Sequence, residues 1–447
     1  MNIKVSVIMP SLNVVSYIEK CIDSVLNQTL KELEIICVDA GSTDGTVEIL
    51  KEYAQKDSRV VLLQSEIKSY GRQVNMGLDY ASGEYVAIVE TDDWIELDMY
   101  KTLYSYAKDN DLDYTAADFD KIYKLNNGCD FNLRTYLFYN NKDWYGKVLN
   151  NEQVNTLRAS DYVLWKGIYN RSFLDKYRIR LHESPKAAFQ DMGFLQQVKT
   201  YISKAMYIDK SFYHYRQDRD VASSNNINGL IFYKDEFEWI HEKLRLVDIL
   251  PDTHIKYYYF TMSISLMSKY DEILKKMNWN WRIEQLQTPY IWFKKELKHV
   301  LDTGIITKDM YTHEQWDELM LLMLSPQEHC ELAKAKDTRE KNLHKKIIEK
   351  IAKRPVVIFG CGVRGNRFMM FCNQYNIPIR AFCDNNLSAL KHYSYDVVSP
   401  DQLAKMTKKE NLVIVISVLN GKENIYEQIK KLEISADTIE EIPNIWI

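Results

Sequence analysis

The apolar positions of the first 120 residues fall into short runs separated by helical repeats. Val5-Ser6-Val7-Ile8-Met9 is apolar and β-branched and stops at Pro10, as a strand buried on both faces would. Tyr17, Ile18, Cys21, Ile22, Val25 and Leu26 then recur with helical period. Glu34–Val38 predicts a second strand, followed by the tight turn Asp39–Gly45, where Ser42 or Asp44 can cap a helix through Ile49, Leu50 and Tyr53. Arg59–Leu63 predicts a third strand, Gly71–Ala81 a helix stopped by Ser82-Gly83, and Tyr85–Val89 a fourth strand running into Glu90-Thr91-Asp92-Asp93. This βαβα order predicts an α/β domain with a mainly parallel sheet.

From about 225 to 349 the strand signal fades into long helical runs rich in Tyr, Trp, Lys and Glu, and Glu328–Lys350 is almost wholly polar. After Arg354-Pro355 a second α/β block opens: strand Val356–Phe359, helix Asn366–Tyr375, strand Ile379–Cys383 and strand Leu412–Ile416. The expected division is 1–225, 226–349 and 350–447, which suits 447 residues at ~150 per domain.

Composition narrows the function. The net charge of −4, from 58 basic and 62 acidic residues, gives no drive toward nucleic acid. No apolar run reaches the ~18 residues of a membrane span, and the expectation is a chain without a signal peptide, located in the cytoplasm or at the inner face of the membrane. The seven cysteines lack zinc spacing and read as reduced thiols. Glycine is scarce, 15 in all, and clustered: Gly41, Gly45, Gly71, Gly77 and Gly83 in one stretch, Gly360, Gly362 and Gly365 in another. Scarce, clustered glycine marks backbone that must bend or approach a ligand.

In a parallel sheet, ligands bind beyond the carboxyl ends of the strands. There the chain places Pro10-Ser11, Asp39 and Glu90–Asp93. Adjacent carboxylates are costly without a cation, and Mg²⁺ or Mn²⁺ takes one or two carboxylates plus phosphate oxygens; taken alone, the Asp-Asp pair also suits an ordinary turn.

Five blocks carry a resemblance: VSVIMPSLN at 5–13, CIDSVLNQT at 21–29, VDAGSTDGT at 38–46, GRQVNMGL at 71–78 and GEYVAIVETDDW at 83–94. In this order they resemble the nucleotide-binding half of family 2 glycosyltransferases, which have the GT-A fold. The resemblance implies an inverting, metal-dependent transfer from a UDP-sugar to a glycan or lipid-linked glycan acceptor, in capsular polysaccharide or lipopolysaccharide synthesis of a bacterium. Pro10 and Ser11 would line the base pocket, Asp39 would accept the uracil N–H, and Arg72 would contact the phosphates. Asp92 would hold the ribose or metal side, and Asp93 would ligate Mn²⁺ or Mg²⁺. Glu90 stands where the family often has Asp. In Phe189-Gln190-Asp191-Met192 the base would be Asp191, with Gln190 in place of the usual Glu. Leu164–Leu174 resembles the family's lysine-containing segment, and Phe212–Arg216 with Ser223-Ser224 its tyrosine-arginine strand and serine loop. Arg216 would close over the diphosphate, His214 is a candidate metal ligand, and His182 a candidate acceptor contact.

Gly360, Gly362, Gly365 and Asp384, which follows Gly365 by 19 positions, form a dinucleotide-type fingerprint. It resembles Rossmann-like domains of sugar-modifying enzymes, but the ~90 remaining residues allow one mononucleotide half. The block is expected to bind a nucleotide, mediate assembly or be vestigial; NAD is not expected. Aromatic and lysine residues at 257–260, 275–281 and 294–295 suit helix packing, a peripheral membrane contact or an acceptor channel. A homo-oligomer stays open. Two competing functions remain: a non-catalytic nucleotide-sugar-binding scaffold, and a bifunctional enzyme with a redox-active C-terminal domain.

Overall fold

A computed structural model describes residues 2–138, 142–157, 163–185, 189–218, 226–245, 252–386, 395–418, 422–434 and 436–439. The chain splits into two compact units, one of residues 1–122 and 133–330, the other of 123–132 and 331–447.

The first unit is an α/β sheet with a helical region. Strands β1 (Val5–Ser11), β2 (Leu33–Asp39), β3 (Val60–Gln64) and β4 (Tyr85–Ile88) alternate with α1 (Ile18–Leu26), α2 (Thr46–Lys56) and α3 (Tyr70–Tyr80). They pair in parallel in the order β3-β2-β1-β4. All seven residues of β1 are buried, which fits a central strand covered on both faces. β1 does not stop at Pro10: the register runs on to Ser11 opposite Asp39. The cap of α2 is Gly45 in a left-handed conformation (φ 105°), rather than Ser42 or Asp44, although the Asp44 carboxylate accepts the Thr46 N–H at 3.0 Å.

The sheet then turns mixed. β5 (Trp94–Ile95) and α4 (Met99–Asp109) lead to β6 (Tyr114–Lys124), β7 (Asp130–Thr135), the short α5 (Asn151–Asn155), β8 (Gly167–Asn170), α6 (Arg171–Lys176), α7 (Gln190–Tyr201) and β9 (Ala205–Arg216). The order continues β4-β8-β6-β9-β5, with β8 antiparallel to β4 and β6, and β5 antiparallel to β9. Helices α8 (Gly229–Arg245), α9 (Asp252–Lys276), α10 (Glu284–Asp302) and α11 (His313–Leu324) build a separate apolar core around Phe237, Tyr270 and Phe293. Helix α12 (Pro326–Ile351) follows.

The second unit holds a five-stranded, wholly parallel sheet in the order β12-β11-β10-β13-β14. Its elements are β10 (Val356–Phe359), α13 (Val363–Gln374), β11 (Ile379–Cys383), β12 (Val397–Val398), α14 (Pro400–Thr407), β13 (Val413–Ile416), α15 (Lys422–Lys431) and β14 (Asp437–Ile439). All seven cysteines are free thiols. Among the described residues no helix is long and apolar enough to cross a membrane.

Candidate active site

The carboxyl ends of β1, β2 and β4 are tied together by side chains. Asp39 is fully buried: its Oδ1 accepts the Gly41 and Ser42 N–H groups at 2.8 Å each, and its Oδ2 accepts the Ser42 and Ser11 hydroxyls at 2.5 and 3.3 Å. Asp39 therefore braces the 39–45 turn with both oxygens, and Gly41 supplies the left-handed backbone (φ 83°) that lets the turn fold back on it. Gln73 donates to the carbonyls of Ser11 and Val38 at 2.8 and 2.7 Å, and Thr91 donates to that of Pro10 at 2.8 Å. Gln73 was not singled out from the sequence; a buried amide in an amphipathic helix carries no local signal.

The acidic turn after β4 is fixed from β9. Asp93 is buried, with Oδ1 accepting the Arg216 backbone N–H at 2.8 Å and Oδ2 accepting the Tyr213 hydroxyl at 2.9 Å. Burial and the neighbouring Asp92 charge push its carboxyl well above the usual range, against these two hydrogen bonds. Asp92 is only partly buried, and its carbonyl accepts from Arg216 Nε at 3.0 Å. The Arg216 guanidinium lies over the rings of Tyr17 and Trp94 at 4.9 and 5.2 Å. His214 sits on the opposite face of β9 from Tyr213, whose hydroxyl reaches Asp93. Its Nε2 lies 2.7 Å from Glu96, and its ring stacks on Trp94 at 5.2 Å. The structure thus gathers Asp92, Asp93 and Arg216 and gives His214 to Glu96. Among the described residues no three His, Cys, Asp or Glu side chains form a metal-holding group. The donor set still suits a cation that takes most of its ligands from a diphosphate, because Asp92 and Asp93 repel each other unless neutralised.

Asp191 occupies the first turn of α7, and the residue capping that helix is Phe189, in a left-handed conformation at φ 64°. A bulky side chain at such a φ is strained and persists only when its surroundings fix it. Here the Phe189 ring stacks on Tyr233 of α8, with centroids 4.1 Å apart. Asp191 accepts the Met192 N–H at 2.8 Å, and burial pushes its carboxyl up to about 6, against the pull of the Lys166 ammonium. Lys166 is wholly buried and donates to the Val163 carbonyl at 2.7 Å. Gln190 is buried and bonds the Ser184 hydroxyl at 2.7 Å. Tyr70 donates to Glu90 at 2.5 Å; burial raises its phenol, and the charges of Glu90 and, less so, Asp191 raise it further. Tyr70, hydrogen-bonded to the acidic turn, thus also feels the charge of Asp191.

On α3, Ser69 caps the Arg72 N–H at 3.3 Å, and the Arg72 guanidinium lies 3.5 Å from Glu183. Ser223 and Ser224 lie outside the described residues. In the second unit, Gly360 is left-handed at φ 106°, and a Cβ on Gly365 would fall 2.1 Å from the Gly360 carbonyl oxygen. Asp384 accepts the Cys361 and Asn386 N–H groups at 3.1 and 2.9 Å, so its carboxylate braces the glycine turn. A Cβ on Gly362 would meet nothing within 4 Å.

Residues 6–177 match the family model described as Glycosyl transferase family 2. Glycosyltransferase GlyA of Streptococcus pneumoniae serotype 4 is 31% identical over 226 residues, covering 48% of this chain and 30% of its own length. Glycosyltransferase GlyG of the same organism is 29% identical over 221 residues, covering 48% and 70%. The match thus takes in less than a third of GlyA. S. aureus TarS residues 1–349, solved in complex with UDP-GlcNAc, superposes with a TM-score of 0.55 at 16% identity, covering 75% of this chain and 92% of that one. That likeness shows a shared fold.

Proposed function

Residues 6–177 form a Glycosyl transferase family 2 domain, and from that premise we propose that the chain moves a hexose from a UDP-sugar to a glycan acceptor, inverting the anomeric carbon with the help of Mn²⁺ or Mg²⁺. The observation that carries this reading is Asp191. Its carboxyl, with the pKa raised to about 6, stands on a strained helix start, and its charge reaches Tyr70, the partner of Glu90 in the acidic turn. That is what a general base for a sugar hydroxyl needs near neutral pH.

The acceptor hydroxyl gives its proton to Asp191. Its oxygen forms the bond to the anomeric carbon as the bond from that carbon to the diphosphate oxygen breaks, and UDP leaves with the electron pair. Asp92 is the protein group that would hold a cation, with Asp93 beneath it fixing the turn; when bound, the cation supplies charge neutralisation to the leaving diphosphate. His214 is left out of this set because Glu96 engages it. Arg216 beside Asp92, and Arg72, which now faces Glu183, would supply positive charge to phosphate. The bracing of Asp39, Ser11 and Gln73 shapes the base pocket. The same fold in TarS holds UDP-GlcNAc, which supports a uridine donor. A bacterial surface glycan, handled at the inner face of the membrane, is the context we favour.

The deciding experiment mixes the full chain with Mn²⁺ or Mg²⁺ and a panel of UDP-sugars, then measures thermal stabilisation and UDP release. Stabilisation by UDP and slow release from one donor are expected. A chain that binds no uridine nucleotide overturns the reading.

A further inference from the structure

His182 lies in a segment held from two sides. Its backbone belongs to the donor side. Asn75 of α3 exchanges hydrogen bonds with both backbone groups of Leu181 at 2.9 Å, and Gly71 approaches so closely that a Cβ there would fall 1.9 Å from the His182 carbonyl oxygen. The side chain belongs to α8. Its Nδ1 lies 3.0 Å from Glu236 Oε2, and its ring is parallel to that of Trp239, 6° between planes and 5.1 Å between centroids.

The exposures divide the labour: the Glu236 side chain is 1% exposed, that of His182 25%. The carboxylate is inside, and the imidazole reaches the surface. This corner is also that of Asp191. Gly193, two residues on, packs so that a Cβ would fall 2.0 Å from Glu236 Oε1. Burial raises the Glu236 carboxyl, His182 lowers it, and the Asp191 charge raises it further.

Where Nδ1 donates to the Glu236 carboxylate, the neutral ring presents Nε2 as an acceptor. Stacking on the indole holds the ring plane. The result is an oriented polar atom at the surface, beside a half-buried Trp239 ring that Lys243 also overlies at 5.4 Å, which suits a hydroxyl of a pyranose. We propose that His182, oriented by Glu236 and Trp239, receives a hydroxyl of the acceptor pyranoside through Nε2 and so determines which hydroxyl meets Asp191. Glu236 is a positioning residue that acts through His182. The proposal rests on the glycosyltransferase reading above.

The test uses the full chain with Mn²⁺, the UDP-hexose from which the wild type releases UDP, and octyl glucoside, octyl galactoside and octyl N-acetylglucosaminide as acceptors. His182→Ala is expected to raise the glycoside KM about tenfold or more, the loss of one hydrogen bond, with a much smaller change in kcat and with stabilisation by UDP retained. Glu236→Gln, whose amide oxygen still accepts from Nδ1–H, is expected to stay close to wild type, while Glu236→Ala follows His182→Ala. An unchanged KM in His182→Ala overturns the proposal. So does a joint loss of kcat and UDP stabilisation, which marks a purely structural role. A wild type that releases UDP into water but glycosylates no pyranoside overturns the acceptor class and leaves the glycosyltransferase reading standing. A wild type that neither binds UDP nor consumes a UDP-sugar overturns the reading beneath it.

Discussion

The Tyr213 hydroxyl donates to buried Asp93 at 2.9 Å while accepting the Glu90 N–H at 3.0 Å. One phenol thus ties β9 to both ends of the acidic turn. Tyr213→Phe leaves two buried polar groups without this partner, and a loss of about 1–3 kcal/mol is expected in denaturant unfolding. UDP-sugar turnover should fall with it, since the turn that carries Asp92 loosens.

In the proposed site, Asp92 rather than Asp93 faces the cation. Asp92→Asn is expected to abolish the extra thermal stabilisation that Mn²⁺ adds to UDP, while the apo protein melts close to wild type. Equal Mn²⁺-linked stabilisation in the variant would remove Asp92 from the cation site.

Asp191 gives a pH signature. A base must be ionised, so transfer should fall as pH drops through about 6, well above the ~4 of an ordinary aspartate. Asp191→Asn should lower transfer about 10²–10⁴-fold and keep UDP binding. The raised pKa means that folding favours the protonated acid, so its stabilising contribution is present at low pH and lost as pH rises through about 6. Asp191→Asn should therefore melt higher than wild type at pH 8, with the gap closing by about pH 4.

Gly71 leaves no room for a methyl group, because a Cβ would fall 1.9 Å from the His182 carbonyl oxygen and 2.8 Å from its carbon. Gly71→Ala must push α3 from the 181–183 segment, at a cost of about 1–3 kcal/mol, read as a lower melting temperature. An unaltered melt would contradict the packing.

Arg216 keeps its backbone bond to Asp93 whatever its side chain. Arg216→Ala should thus keep that tie, lose the Nε bond to the Asp92 carbonyl, and bind UDP about tenfold more weakly, the loss of one charge-assisted contact. Calorimetry with UDP measures it.

The first four strands were legible because each is a short apolar run between polar turns, and the helices α1 and α2 carry an apolar stripe. Strand β1 overran its proline because only the carbonyl of Pro10 is needed there, and Thr91 supplies a donor to it. The mixed half of the sheet was less legible. β6 and β8 pair antiparallel across more than 40 intervening residues, a relationship that no local period encodes. Asp39, Asp92, Asp93 and Asp191 could be named from motifs, but their partners could not. Asp93 depends on Tyr213 and Arg216, 120 and 123 positions away. Glu236 and Trp239 were invisible because α8 reads as one more amphipathic helix, and only tertiary packing turns its buried carboxylate toward His182.

The left-handed Phe189 bears on how the centre survives its own chemistry. In the proposed reaction, a proton arriving on Asp191 changes the charge and the hydrogen-bonding capacity of the side chain at every cycle. An acid aimed only by partner side chains would be re-aimed by that change. Here the helix start is held by the twist of Phe189, two residues before the acid, and by its aromatic stack on Tyr233, neither of which carries a titrating charge at neutral pH. A base carried on such a start has its backbone held by groups that its own proton does not reach, which leaves only the carboxyl and its bond from the Met192 N–H to respond to each transfer.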